Sequence, residues 1–145
     1  MPDTDDRPDS SAGNAPLELV ILAPVLLALI ALVIAAGRTG LAQNSVAAAA
    51  RDAARQASIS RTPGEARANA RTGALSELAQ QGLHCAPATV HLNLAGFGVG
   101  PGTQASVSAT VTCRVSLADL ALPGAPGTRT LVATFSSPLD PYRGR

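Results

Sequence analysis

The chain has 145 residues, of which 46% are hydrophobic and 2% aromatic, and its formal net charge is +1. This length suits one small domain, or one segment plus a domain. The near-neutral charge and the scarcity of aromatic rings exclude a typical nucleic-acid-binding protein, which needs a basic surface and stacking side chains. Two histidines, two cysteines and ten scattered carboxylates form no catalytic constellation. We therefore expect a protein that is not an enzyme and has no cofactor.

The large apolar side chains are concentrated in one uncharged run, residues 19–36. A helix over this range rises about 27 Å, close to the hydrocarbon core of a bilayer, which is about 30 Å thick. A soluble core helix of this length would normally carry a polar face, so a buried central helix is the weaker alternative. The run predicts a membrane-inserted helix within a transmembrane segment at 14–37.

The residues before this run do not resemble an ordinary secretory signal. Residues 1–13 contain four aspartates and one arginine, whereas a signal peptide starts with basic residues and has a shorter apolar run. Cleavage by a signal peptidase near Gly37 is the competing interpretation. Gly13, followed five residues later by Glu18, is instead similar to the signal of type IV pilins. The resemblance implies that a prepilin peptidase removes a leader at 1–13, since glycine offers an unhindered backbone, and leaves Asn14 as the N-terminus.

Two residues of the apolar helix have expected roles in assembly. In pilins, the glutamate that corresponds to Glu18 is thought to pair with the free α-amine of a neighbouring subunit, which offsets the cost of a carboxylate near lipid. The alternative is that Glu18 only marks the helix start, where an acid suits the helix dipole. Pro24 leaves the carbonyl of Val20 without its helical hydrogen bond and predicts a kink. The kink is either incidental or the place where the helix melts when subunits leave the bilayer for a filament.

Beyond residues 37–40, an alanine-rich segment predicts that helical structure resumes over 41–60. Within it, Asp52 and Arg55 are spaced for an ion pair. Small residues recur at helical spacing, and they form either a packing surface for another backbone or an ordinary solvated face. These residues are Ala42, Ala49, Ala53 and Ala57.

The N-terminal half as a whole resembles the TadE-like minor pilins of tight-adherence (Flp-type) pilus systems. The residues that carry the resemblance are Gly13, Glu18, Leu19, Pro24, Val46 and the run Ala-Ala-Arg51-Asp52-Ala-Ala-Arg55. The resemblance implies a structural minor pilin or pseudopilin in the cytoplasmic (inner) membrane, with its C-terminal domain outside the cytoplasm. The implied partners are the membrane, a prepilin peptidase, other Tad/Flp pilus subunits and inner-membrane platform proteins. The competing function is a single-pass membrane-anchored or secreted binding module.

A second helix is predicted downstream. Thr62 has the position of an N-cap, Pro63 suits the first turn, and Glu65 completes a capping box. Gly82 ends the helix. With the alanine-rich segment, this helix makes up a helical region at 38–83.

Period-two alternation predicts three strands, at 89–94, 106–115 and 130–136. The sequence therefore predicts an α+β, pilin-like fold: a long N-terminal membrane-inserted helix that extends outward, a second helix and a small antiparallel three-stranded sheet. The sheet forms a head at 84–137, and residues 138–145 are expected to be a tail.

The two cysteines flank the first predicted strand pair. Cys85 precedes the first strand and Cys113 lies late in the second, so antiparallel pairing would bring them close together. Two cysteines in a domain outside the cytoplasm predict a disulfide. Together with His84 and His91 they match no usual zinc-ligand spacing, so we expect no metal site.

Overall fold

The computed structural model describes residues 15–100, 102–120 and 126–142, with the backbone alone described at 15–18. The elements are helix α1 (Ala15–Ile59), helix α2 (Pro63–Gln80), strand β1 (Ala88–Asn93), strand β2 (Ala105–Ser116) and strand β3 (Thr128–Leu139). A 3-10 turn, Ala95–Gly98, and a single helical turn, Leu117–Leu120, lie on either side of β2. This is the predicted α+β arrangement of a long helix, a second helix and a three-stranded antiparallel sheet.

Helix α1 is continuous for 45 residues, without the interruption expected at 37–40. Two isolated glycines, Gly37 and Gly40, cost the helix only about 1 kcal/mol each, less than the neighbouring leucines and alanines contribute to helix formation. Between them, the Thr39 hydroxyl donates a hydrogen bond to the carbonyl of Ala35 at 2.9 Å. The apolar run and the alanine-rich segment are therefore two halves of one helix.

Helix α2 begins and ends where the sequence predicts. The Thr62 hydroxyl accepts a hydrogen bond from the Glu65 amide at 3.2 Å. The Glu65 carboxylate accepts one from the amide of Arg61 at 3.2 Å, one residue earlier than in a standard capping box. After the helix, Gly82 has a φ of +67°, a conformation that glycine adopts at little cost.

The sheet has the strand order β1-β2-β3, with both pairs antiparallel. The connection between β1 and β2 contains the 3-10 turn and is longer than a tight hairpin turn. Strand β3 extends to Leu139, which pairs with Ala105, so Pro138 and Leu139 belong to the sheet and not to the predicted tail. The reason is burial, because the Leu139 side chain is only 3% exposed.

The core is formed where α1 lies between α2 and the inner face of the sheet. The buried side chains of α2 are Ala66, Ala70, Ala74 and Leu78. Those of α1 are Ala42, Val46, Ala49, Ala50, Ala53, Ala54 and Ala57. Since alanine side chains are short, the helix backbones approach closely, as small residues allow in helix packing generally. The small-residue face of α1 is thus neither solvated nor available to another chain.

A disulfide joins Cys85 to Cys113, the pairing expected from the strand pattern, with Cα atoms 5.1 Å apart. Hydrogen bonding between β1 and β2 continues into the residues just before β1. The Ala86 amide donates to the Arg114 carbonyl at 2.7 Å, and the Arg114 amide donates to the Pro87 carbonyl at 3.1 Å. These bonds hold Cys85 beside β2. Cys113 is fully buried, so the disulfide is part of the core.

Replacing Cys85 by serine should lower the stability of the head substantially. The disulfide spans a sequence separation of 28 residues. Closing a loop of that size stabilises a folded chain by about 3.5 kcal/mol in the chain-entropy model. Thermal unfolding of the detergent-solubilised full chain, followed by circular dichroism, measures the effect. Reductant should lower the wild-type melting temperature and leave that of Cys85→Ser unchanged; a wild-type chain insensitive to reductant would contradict a stabilising role.

Gly96→Ala should destabilise the head by about 1–3 kcal/mol, whereas Gly98→Ala in the same 3-10 turn should have little effect. A Cβ at Gly96 would collide with the backbone carbonyl oxygen of Ser106 and lie 2.8 Å from Cδ1 of Leu139, while a Cβ at Gly98 would meet nothing within 4 Å. Chemical denaturation of both variants measures the difference. If the two variants lost equal stability, the collision of a Cβ at Gly96 with its neighbours would not be the cause.

Candidate membrane and assembly helix

From residue 19 onward, the first half of α1 exposes its large apolar side chains. Between Leu19 and Ile34 the exposed fractions of the leucines, isoleucines and valines range from 48% to 72%. Its most apolar window has a mean hydropathy of 3.1, and none of that window is buried. Within the described part of the chain, α1 is the one helix long and apolar enough to cross a membrane. The described part of the chain does not cover this half of α1, whose exposed apolar surface is typical of a helix that meets a membrane or a partner.

The residues expected at the start of this helix are placed only in part. Gly13 and Asn14, the expected processing site, lie outside the described residues. Glu18 lies in the first turns of α1, where its backbone is helical. Pro24 lies inside α1, and the helix continues through it. The carbonyl of Val20 loses its usual partner there, because proline has no amide hydrogen.

The charged signature residues lie on the half of α1 that belongs to the head. The Arg51 guanidinium carbon lies 5.7 Å from the centre of the Phe135 ring, in a cation–π contact with β3. The Asp52 carboxylate accepts a hydrogen bond from the side-chain amide of Gln56 at 3.5 Å. The ion pair that its spacing from Arg55 predicts does not form within the described structure. Arg51 and Asp52 therefore make contacts inside one chain.

The cysteines and histidines do not assemble into a metal site in the residues that the structure describes. No group of three or more His, Cys, Asp or Glu side chains within 15–100, 102–120 and 126–142 has the geometry to hold an ion. Cys85 and Cys113 are joined to each other, so neither thiolate is available as a ligand. His84 and His91 are both exposed.

A groove of about 1030 Å³ lies at the end of the head farthest from the apolar run. Its lining comes from the α1–α2 connection, the loop after the 3-10 turn, and the facing ends of β2 and β3, and includes Ile59, Pro63, Ala105 and Pro138. No sequence pattern predicts this groove, because the segments that line it are distant from one another along the chain. We refer to it below as the distal groove.

The model of the TadE-like protein family matches residues 13–55. This segment, 43 of the 145 residues, is similar to that family. It begins at the glycine of the expected processing site and includes the apolar half of α1 and most of the alanine-rich half. No curated protein and no solved structure matches the chain.

Two arginines placed in the middle of the apolar run should abolish stable membrane attachment. The variant Leu27→Arg/Ile30→Arg replaces two exposed apolar side chains of α1 at the middle of the run. On insertion scales the double change costs about 6 kcal/mol or more. After alkaline carbonate extraction, the wild type should stay with the membranes and the variant should be released. As a control for added charge, Asn44→Arg/Ala79→Arg on the exposed head surface should be retained; retention of the Leu27→Arg/Ile30→Arg variant would contradict the span.

Proposed function

We propose that the protein is a structural minor pilin or pseudopilin that a prepilin peptidase cleaves after Gly13 and that takes part in assembly of a Tad/Flp-type pilus or a related secretion system. The observation that carries the proposal is the division of α1 into two halves. One half exposes apolar side chains from Leu19 to Ile34, and the other forms the core of the head. A subunit of this kind waits in the bilayer and inserts the same apolar helix among the helices of other subunits.

The TadE-like match supports the position of the cleavage, because the matched segment starts at residue 13. Removal of 1–13 would leave Asn14 one residue before the first residue of α1, Ala15. The new α-amine would then lie at the start of the apolar helix. A glutamate at position 18, within the first turns of that helix, is at a suitable depth to meet the α-amine of a neighbouring subunit. Such pairing would remove the cost of bringing either charge into an apolar filament core.

Pro24 has a proposed role in the transfer from bilayer to filament. The carbonyl of Val20 already lacks its helical hydrogen bond, so this turn is the easiest part of the apolar half to unwind. Local unwinding would let the part of α1 before Pro24 tilt independently of the part that continues into the head.

We place the head outside the cytoplasm, with α1 anchored in the inner membrane. The Cys85–Cys113 disulfide supports this location, since disulfides persist in oxidising compartments and are rare in the cytosol. The proposed partners are a prepilin peptidase acting on the cytoplasmic side, other Tad/Flp pilus subunits and the inner-membrane platform proteins of the assembly machinery.

The second candidate function is that of a membrane-anchored binding module, and the distal groove is the observation that favours it. A groove of about 1030 Å³ at the outermost end of an anchored head is well placed to take a ligand. An anchored module does not need processing after Gly13, so the two functions differ in the N-terminus of the mature protein.

Replacing Gly13 by leucine should block removal of the leader and leave membrane insertion intact, because the apolar helix is unchanged. In a host with an active prepilin peptidase, N-terminal sequencing should find Asn14 first in the wild type and the uncleaved leader in Gly13→Leu. Gly37→Leu is the matched control, since a Cβ at Gly37 meets nothing within 4 Å, and it should be processed normally. A wild-type protein that keeps its leader would contradict the pilin proposal and favour the anchored module.

Replacing Glu18 by alanine or glutamine should leave cleavage intact and reduce co-purification with other pilus subunits about tenfold or more, because a buried charge left unpaired costs several kcal/mol. Glutamine keeps the length of the side chain and removes only its charge. If Glu18→Gln associates as well as the wild type, the proposed pairing with the neighbouring α-amine is wrong, whatever the result for leader removal.

A further inference from the structure

We propose that the membrane-facing end of the head binds the headgroups of anionic phospholipids through Arg38, Arg114 and Arg129. The membrane-facing end is defined here as the part of the head that includes residues 37–41 of α1, the connection 81–87, the β2 end and single turn 113–120, and the β3 start 126–130. This inference rests on insertion of the apolar half of α1 in a membrane, which is part of the proposed function, but not on assembly into a pilus.

The distance along α1 places this end of the head in the headgroup layer. The apolar run ends at Ala36, and the first buried side chain of the head is Ala42, 5% exposed. Since α1 is continuous, these positions are separated by a helical rise of only about 9 Å. A bilayer about 40–45 Å thick with a hydrocarbon core of about 30 Å leaves a headgroup layer of roughly 5–7 Å on each side. Residues 37–41 of α1 therefore cross the headgroup layer, and the buried core of the head begins just above it, without a flexible linker.

Side-chain contacts along α1 show that β3 runs in the same direction as this helix. The Gln43 amide donates to the Val132 carbonyl at 3.0 Å, and the Ser137 hydroxyl donates to the Ser58 hydroxyl at 3.0 Å. Arg129 lies three strand residues before Val132, about 10 Å toward the membrane. Going from Gln43 back to Arg38 covers about 7 Å in the same direction. Arg38 and Arg129 thus reach the same end of the head.

Arg114 lies at the same end of the head, because strand pairing places it beside the start of β3. Arg114 pairs with Thr130, and its neighbour Val115 pairs with Arg129. Arg114 is exposed between the buried residues Cys113 and Val115, so it points to the outer face of the sheet. Arg129 is on the opposite face, the one that α1 covers. The three exposed guanidinium groups are therefore spread across this end of the head rather than concentrated at one point.

The charge of this end favours an anionic surface. Asp119 is the one acidic residue that the described part of the membrane-facing end contains, against three arginines and the exposed His84. A guanidinium group donates two parallel hydrogen bonds to a phosphate and remains charged at any physiological pH. Phospholipid headgroups supply phosphates at the height at which α1 holds these side chains, so the lipid surface is the partner to which the geometry points.

The test measures how close each end of the head comes to the bilayer. The full-length protein is reconstituted in phosphatidylcholine vesicles with or without phosphatidylglycerol, and a thiol-reactive fluorophore is attached at Thr128→Cys or at Thr103→Cys. Both native cysteines are joined in the disulfide, so only the added thiol reacts. Strand β3, 12 residues long, separates the two positions by about 36 Å. Lipids that carry a spin-labelled headgroup should quench the label at 128 at least about twofold more than the label at 103, and more strongly with phosphatidylglycerol present.

Variants then assign the effect to the three arginines. The triple variant Arg38→Gln/Arg114→Gln/Arg129→Gln should lose the phosphatidylglycerol-dependent quenching at position 128, and the corresponding triple change to lysine should restore most of it. High salt should weaken the effect, because it screens charges beyond a few ångströms. A second triple variant removes the same charge far from the membrane and should behave as the wild type: Arg61→Gln/Arg67→Gln/Arg71→Gln.

The possible failures are distinguishable. Protein that carbonate extracts from the vesicles is not inserted, and this result would overturn both the inference and the membrane anchor of the proposed function. Inserted protein that shows equal quenching at the two positions, or quenching at 128 that depends neither on phosphatidylglycerol nor on the arginines, would overturn the inference alone. Circular dichroism and intact mass of each variant establish that the head is folded and its disulfide is closed.

Discussion

The close approach of α1 to α2 and to the sheet is the constraint on which the rest of the head depends. The helices meet through alanines, and α1 has room between α2 and the sheet only because its buried side chains are short. Alanine buries little area per residue, so the helical part of this core contributes less hydrophobic stabilisation than a leucine-rich core would. The sheet offsets this smaller contribution. It adds the buried side chains of Val107, Val111 and Val115 in β2 and the Cys85–Cys113 disulfide.

A continuous α1 makes its apolar half and the head parts of one mechanical unit. The helix is 45 residues long, which corresponds to about 67 Å. Because no loop interrupts it, the depth of the apolar half in a bilayer would set the height of the head above that bilayer. Pro24 is the place where the backbone hydrogen bonding of this helix is weakened. Beyond Pro24, a displacement of the apolar half would be transmitted directly to the head.

The two ends of the head differ in the chemistry that they present. The membrane-facing end has three exposed arginines and the disulfide, whereas the opposite end has the distal groove, with Ile59, Pro63 and Pro138 in its lining. Antiparallel packing separates the two ends. The connections from α2 to β1 and from β2 to β3 lie at the membrane-facing end, and the α1–α2 connection and the loop after the 3-10 turn line the distal groove. A pilin role uses mainly the apolar half of α1, and an anchored binding module would use mainly the distal groove.

The sequence alone determined the elements whose causes are local. The uncharged run predicts the apolar half of α1, Thr62 and Glu65 predict the start of α2, and the alternation of apolar and polar residues predicts the strands. It also indicated the cysteine pairing, because antiparallel strands of known length place Cys85 beside Cys113. Only the tertiary structure decided what the alanines of α1 contact, since a small-residue face looks the same in sequence whether it meets solvent, another subunit or α2. Only the tertiary structure extended β3 to Leu139 and brought Arg38, Arg114 and Arg129 to one end, because burial and strand register depend on residues far apart in the chain.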